Sequence, residues 1–267
     1  YGAVRGAGSA AFIVGSLLAG EAIGVFGTSS VLLGQGAFLI LAAFFAAIVP
    51  HPKRELGRAH HKTNAFIEGL GLARNRPFRL VVIIASIVLG SHAMHDSFAM
   101  ISWKAAGISP VAGSVLWSES VAAEVFVFVI AGPKLLRKVH PSTAIAIGAV
   151  AAAVRWTVLA QPSHFLALAL AEPLHGLSFA LLHLACMRIL VRVTPSELAG
   201  TAQSTYAFGI GASSALLTFA AGFFYEHFGP IAFLAMAVLA LISLPLVVCL
   251  NRVFEMAPPH DLTERMG

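Results

Sequence analysis

Charge is what this 267-residue chain has least of: only 11% of its residues are Asp, Glu, Lys or Arg, against about 25% in a soluble domain. That scarcity, with 58% hydrophobic residues and a mean hydropathy of +0.86, excludes an ordinary water-soluble fold and points to a polytopic membrane protein. Cysteine is nearly absent too. Cys186 and Cys249 both fall inside apolar runs, which excludes a disulfide framework or a zinc knuckle. There is no GxxxxGK[ST] phosphate loop, no paired Asp-rich prenyltransferase motif, and no Gly-x-Ser-Gly with a distant catalytic histidine. An enzyme is therefore not expected, and no cofactor or metal is called for. No cleavable signal peptide is recognisable either: the first apolar run is long and opens on Tyr1 rather than Met. The expectation is that further residues precede it.

What the chain does have is apolar length. About 20 consecutive apolar residues make a bilayer-crossing helix, and eight segments qualify: about 7–27, 31–49, 78–100, 111–131, 143–160, 164–190, 200–224 and 229–250. Each is too long for a barrel strand, and only a helix pairs its own backbone in lipid. The expected fold class is thus an all-α membrane protein of eight transmembrane helices.

The net charge of +5 and pI near 9.6 follow from topology rather than from nucleic-acid binding. Lys53, Arg54, Arg58, Lys62, Arg74, Arg76 and Arg79 crowd the link between runs two and three. Lys134, Arg137, Lys138, Arg188, Arg192, Arg5, Arg252 and Arg265 fall on the same side if the helices alternate. The opposite side holds Lys104 alone, and Arg155 lies inside a run. This asymmetry places both ends and the long loop in the cytoplasm of an inner membrane. His51, His60 and His61 sit in that loop and read as solvated.

One long polar link, HPKRELGRAHHKTNAFIEGLGLARNRPFR, divides the runs two and six. Six spans after a long cytoplasmic loop is the outline of the second half of a two-half transporter with a central cavity. YGAVRGAGSAAFIVGSLLAG (1–20) resembles the start of helix five in the phenylpropionate-transporter-like, lactose-permease-related branch of the major facilitator superfamily. GSHAMHDSFAMISWKAAGIS (90–109), VLWSESVAAEVFVF (115–128), AAVRWTVL (152–159), LHGLSFALLHLACMR (174–188) and AQSTYAFGIGASSALLTFAAGFFYEHFG (202–229) resemble its helices seven to eleven, in order. GPKLLRK (132–138) resembles the superfamily's cytoplasmic Gly-and-basic loop motif. The chain departs from the branch in its acids Asp96, Glu119 and Glu172, and in Ala7, where an aromatic residue is common.

The resemblance implies helices 5–12 of a twelve-helix carrier. Residues 1–50 would be the last two helices of the N-terminal half, 51–79 the central loop, 80–250 the six-helix C-terminal half and 251–267 a cytoplasmic tail. The implied partners are a small-molecule solute, the lipid bilayer and the missing N-terminal helices, in a protein monomeric at full length. The implied activity is proton-coupled import of a small organic solute, with an aromatic or other carboxylate leading. A sugar or nucleoside symporter and a non-transporting receptor or scaffold are the alternatives.

Ionisable groups inside apolar runs are costly and usually face a cavity or one another. At 100° per residue, Glu172, His175, Phe179, His183 and Cys186 share one face of the sixth run, with leucines opposite. Glu172 beside His175 is a candidate proton pair, and His183 a candidate cavity group. Arg188 lies off the stripe at the cytoplasmic end, where snorkelling accounts for it. Arg155 cannot shed its charge. Three readings of it stay open: a fork for a substrate carboxylate, a partner for an acid on a facing helix, or an outward snorkel. Glu124 lies past mid-depth in the fourth run, and Glu119 about 140° round from it. His92, His95 and Asp96 form H-x-x-H-D near the outer end of the third run. His92 and Asp96, at i and i+4, could ligate a metal, but a wet vestibule or gate bond fits such a short motif better. The small-residue runs 8–20 and 209–222 are expected helix contacts; the first lacks the Gly-Pro associated with drug efflux.

Overall fold

The computed structural model describes residues 2–48, 71–162 and 164–256, and among these residues every regular element is helical. Eight helical elements follow in order: α1 Gly2–Phe26, α2 Ser29–Ile48, α3 Arg76–Ala105, α4 Pro110–Leu136, α5 Pro141–Leu159, α6 Phe165–Val193, α7 Ala199–Phe228 and α8 Phe233–Met256. The central loop is described only from Gly71 onward. His51, His60 and His61 lie outside the described residues, as does Arg265.

Local chemistry sets the starts. α3, α4 and α5 each open with a proline in the first turn behind a side-chain cap, a position where the missing N–H costs nothing. Asn75 Oδ1 accepts from Phe78 N at 3.1 Å, and its Nδ2 donates to Val193 O at 3.2 Å, which ties the start of α3 to the end of α6. Ser109 Oγ accepts from Ala112 N at 3.2 Å. Gly229, at φ 58°, occupies backbone space that other residues avoid and turns α7 into α8.

Six stretches are long and apolar enough to cross a membrane. They coincide with α2 to α6 and with Ser196–Glu255, the stretch that folds back at Gly229; Ala10–Phe26 is a shorter apolar helix. The chain is a multi-pass membrane protein. Leu166, Leu170, Val191, Leu216 and Phe219 stand exposed, as lipid permits, while Phe78, Ile84, Met94, Leu116, Ile145, Leu181 and Phe233 are buried between helices.

Lipid tails are as apolar as leucine, so close packing must bring such helices together. A Cβ on Gly176 would stand 2.7 Å from Ala123 O, which measures how closely α6 approaches α4. Gly148 of α5 meets Leu182 of α6 in the same way, with a Cβ at 2.9 Å. Of the two small-residue runs expected to make contacts, Gly20 packs on Ser114 and Gly209 on Ser86, whereas Gly8, Gly15, Gly211 and Gly222 face open space among the described residues.

Three of these helices are irregular at the depth where the charges lie. α3 bends at Ser91 between Arg76–Gly90 and His92–Ala105. α4 carries a π-helical turn at Val127–Ala131. α6 tightens into a 3-10 turn at Glu172–Leu174, where Pro173 lacks an N–H, then widens into a π-helical stretch at Gly176–Leu181. Such departures redirect side chains and recur at functional sites.

Candidate functional site

The bend in α3 is pinned from α5: Trp156 Nε1 donates to Ser91 Oγ at 3.0 Å, and Ser91 Oγ donates back to Val88 O at 2.6 Å. Trp156 therefore fixes where His92 and His95 point. Its neighbour Arg155 enters the same space from α5. α6 contributes Glu172 from its tight turn and His175 from the start of its wide stretch, and α4 contributes Glu124.

Arg155 and Glu172 are both 0% exposed and form an ion pair through Nη2 and Oε2. Arg155 Nη2 also lies 3.1 Å from His95 Nε2, and Nη1 lies 3.2 Å from His175 Nδ1. A guanidinium only donates, so the imidazole nitrogens that bond to it accept. The opposite nitrogens then carry the protons. His175 Nε2 donates to Glu124 Oε2 at 3.2 Å, and His95 Nδ1 donates to Asp96 Oδ1 at 3.4 Å. The result is a network drawn from four helices, α3 to α6, with Arg155 at its hub and a carboxylate at each end, Glu124 and Asp96. Two atoms within it have no hydrogen-bond partner: Arg155 Nε and Glu172 Oε1.

Aromatic rings surround this network. Arg155 Cζ lies 4.9 Å from the Trp156 ring centroid, a cation–π arrangement. His95 sits among Trp117, Trp103 and Trp156, with ring centroids 4.7, 5.8 and 6.0 Å away. Removing water from around the charges in this way strengthens their mutual attraction.

The structure brings Arg155, Glu172, His175 and Glu124 together. Of the three readings of Arg155, the outward snorkel fails, because the side chain is fully buried and turned inward. Its fork is occupied by Glu172, so the acid-partner reading describes this conformation. His92 and Asp96 do not pair as their i, i+4 spacing suggested. His92 is buried with both nitrogens occupied, Nδ1 by Val88 O at 3.1 Å and Nε2 by Ser178 Oγ at 3.2 Å. Asp96, with its side chain 63% exposed, is held by His95 instead. Glu119 is half-buried and has no ion pair among the described residues, in keeping with its different face of α4.

His183 lies one layer further along α6. The rings of His175, Phe179 and His183 form a stacked column, with centroids 5.2 and 6.5 Å apart, so Phe179 separates His183 from the hub. His183 Nδ1 lies 3.3 Å from the Tyr206 hydroxyl of α7. Cys186 is buried below it. Arg188 is exposed and donates to Leu136 O at the end of α4, which ties α6 to the end of α4. His95, named in the H-x-x-H-D motif, joins this network through Arg155 and Asp96.

The MFS_1 like family model matches residues 1–236 of the chain. The chain is 32% identical over 243 residues to the Probable 3-phenylpropionic acid transporter of Escherichia coli (strain K12), an alignment covering 90% of this chain and 63% of that protein. It thus spans less than two thirds of the relative's length. No solved structure matches it significantly. A long all-helical array folded around a buried charge hub, matched by the family model over nearly its whole described length, belongs to the MFS_1-like family.

Proposed function

We propose that this chain is the greater part of a proton-coupled secondary transporter, not an enzyme, that imports a small organic carboxylate. The observation that carries the proposal is the buried Arg155, held by a single carboxylate, Glu172, and flanked by two neutral imidazoles. A permanent cation in so dry a place needs an anion beside it. In one state Glu172 supplies it. When Glu172 takes a proton, the fork is released and a substrate carboxylate supplies the charge in its place. Proton and organic anion then load together, because either one alone leaves an uncompensated charge in the protein. His175 and Glu124 complete the proton-carrying side of the hub. This is the coupling that symport requires, with H+ as the coupling ion.

In this reading all eight helical elements cross the bacterial inner membrane, with the basic loop and both ends of the segment cytoplasmic. α1 and α2 act as the last two helices of an N-terminal half, in a carrier that works as a monomer. The aromatic walls around His95 and the name of the E. coli relative support an aromatic carboxylate. The test is uptake of labelled 3-phenylpropionate by vesicles carrying the full-length protein under an imposed proton gradient. Accumulation that collapses with the gradient is expected. Absence of gradient-dependent uptake across a panel of aromatic acids, sugars and nucleosides would sink the carrier reading, and uptake of a sugar alone would change the substrate class.

A further inference from the structure

Glu172, the group that must gain the proton, is 0% exposed and has no contact with solvent. A route to it is needed, and the geometry points to one: we propose that His95 passes the proton from Asp96 to Glu172. The inference rests on the symport reading above and adds the path to it.

His95 is 3% exposed and stands between the two carboxyl groups, with Nδ1 3.4 Å from Asp96 Oδ1 and Nε2 3.3 Å from Glu172 Oε1. Asp96, at 63% side-chain exposure, is the one member of this trio that is exposed among the described residues. Glu172 Oε1 is the buried carboxylate oxygen with no hydrogen-bond partner; Oε2 is already committed to Arg155. The acceptor atom for an incoming proton is therefore free and within reach of the imidazole.

The two contacts at His95 Nε2 exclude each other. Accepting from Arg155 Nη2, at 3.1 Å, requires a lone pair on Nε2. Donating to Glu172 Oε1 requires a proton there. Transfer begins from the tautomer that is protonated on Nε2. The Asp96 O–H bond breaks and an N–H bond forms at Nδ1, giving an imidazolium between two carboxylates. The Nε2–H bond then breaks and an O–H bond forms at Glu172 Oε1. One proton has moved from Asp96 to Glu172, and His95 is again neutral with its proton on Nδ1. Its freed Nε2 lone pair accepts from Arg155, which steadies the guanidinium as its anion is neutralised. In the structure Nε2 is within reach of both Arg155 Nη2 and Glu172 Oε1, and Nδ1 faces Asp96.

The charged and titratable groups that face His95 are Asp96 and His92 from α3, Arg155 from α5, and Glu172 and His175 from α6; Trp103, Trp117 and Trp156 close the remaining sides. No other imidazole touches a Glu172 oxygen among the described residues.

The experiment uses full-length protein in proteoliposomes, with labelled 3-phenylpropionate and a trapped pH dye. Two rates are measured: net proton-coupled uptake, and exchange between equal internal and external solute, which needs no net proton movement. In His95→Gln, which keeps a polar side chain but cannot relay, the ratio of net uptake to exchange should fall by about tenfold or more, in the range of a lost general acid–base step. Asp96→Asn should lower the same ratio and flatten its dependence on external pH. An unchanged ratio in His95→Gln overturns the relay. If His95→Gln loses both rates, Asp96→Asn decides, and an unchanged ratio and pH profile there overturn it. The symport reading fails separately: wild-type protein would then move no protons with solute, or Glu172→Gln would leave the ratio intact.

Discussion

At the acid end of the pH range, removing Glu172 should harm this protein more than removing Arg155, although the two form one ion pair. Both side chains are 0% exposed, so water cannot solvate whichever partner remains. In Glu172→Leu, the guanidinium keeps two neutral acceptors, His95 and His175, but its nearest carboxylates stand one imidazole away. Arginine cannot give up its proton, so the charge stays uncompensated and the cost is about 3–5 kcal/mol, as for other broken buried pairs. In Arg155→Leu, the stranded Glu172 becomes neutral by taking up a proton, and the remaining loss is that of its hydrogen bonds, about 1–3 kcal/mol. The deficit of Arg155→Leu should widen as pH rises, by at most about 1.4 kcal/mol per unit, because holding a proton on the carboxyl becomes harder. The deficit of Glu172→Leu should barely change over the same range. The double variant removes both charges and should be more stable than the sum of the single losses implies. Reversible unfolding of the full-length protein in mild detergent, from pH 5 to 8, measures all three variants. The asymmetry argument is refuted if Arg155→Leu is the less stable single variant at the acid end, or if the two losses simply add in the double variant.

Two further outcomes are expected. Gly176→Ala should destabilise the protein by about 1–3 kcal/mol, as overpacking does, because its Cβ would stand 2.7 Å from the Ala123 carbonyl oxygen, an atom that cannot rotate away; unfolding in detergent indistinguishable from wild type would count against the α4–α6 contact. His175→Gln should lower gradient-driven accumulation of 3-phenylpropionate much further than His183→Gln, because His175 touches Arg155 and Glu124 while Phe179 separates His183 from them; equal losses in the same uptake assay would show that the ring column does not divide the two histidines.

Much of the fold was legible because lipid leaves few choices. Apolar runs of sufficient length become helices, and the structure adds the caps and first-turn prolines, Asn75, Ser109, Pro110 and Pro141, that fix where three of them start. The stripe Glu172, His175, Phe179, His183 was legible for the same reason, since one helix face was enough to predict it. What was not legible depends on partners from other helices. His92 and Asp96 share a face of an ideal helix, yet Ser178 of α6 and the Val88 carbonyl occupy both His92 nitrogens, and Asp96 turns to the adjacent His95. Likewise, no periodicity indicates that Glu172 rather than solvent or solute fills the fork of Arg155. That pairing is set by the approach of α5 to α6, which Gly148 permits against Leu182. The small-residue runs were read as contacts throughout, but only Gly20 and Gly209 among their glycines meet a neighbour closely. Small size allows a contact and does not require one.

The wide turn at Gly176–Leu181 has a consequence for how this site can be damaged. A π-helical turn holds about one residue more than an α-helical turn, and here the surplus lies between His175 and His183. Exchanging any one of these six side chains leaves the count intact, and with it the angular phase between the two ends of α6. Deleting one of them removes that surplus and lets the helix wind normally with its two ends in nearly the same phase, whereas adding one more to a turn that is already overfull turns everything beyond by about 100°. After such an insertion His183 would leave Tyr206, and Arg188 would lose the Leu136 carbonyl, while Glu172 and His175 stayed at the hub. Insertion of a further residue, rather than a substitution or a single deletion, is the lesion this stretch is least able to absorb.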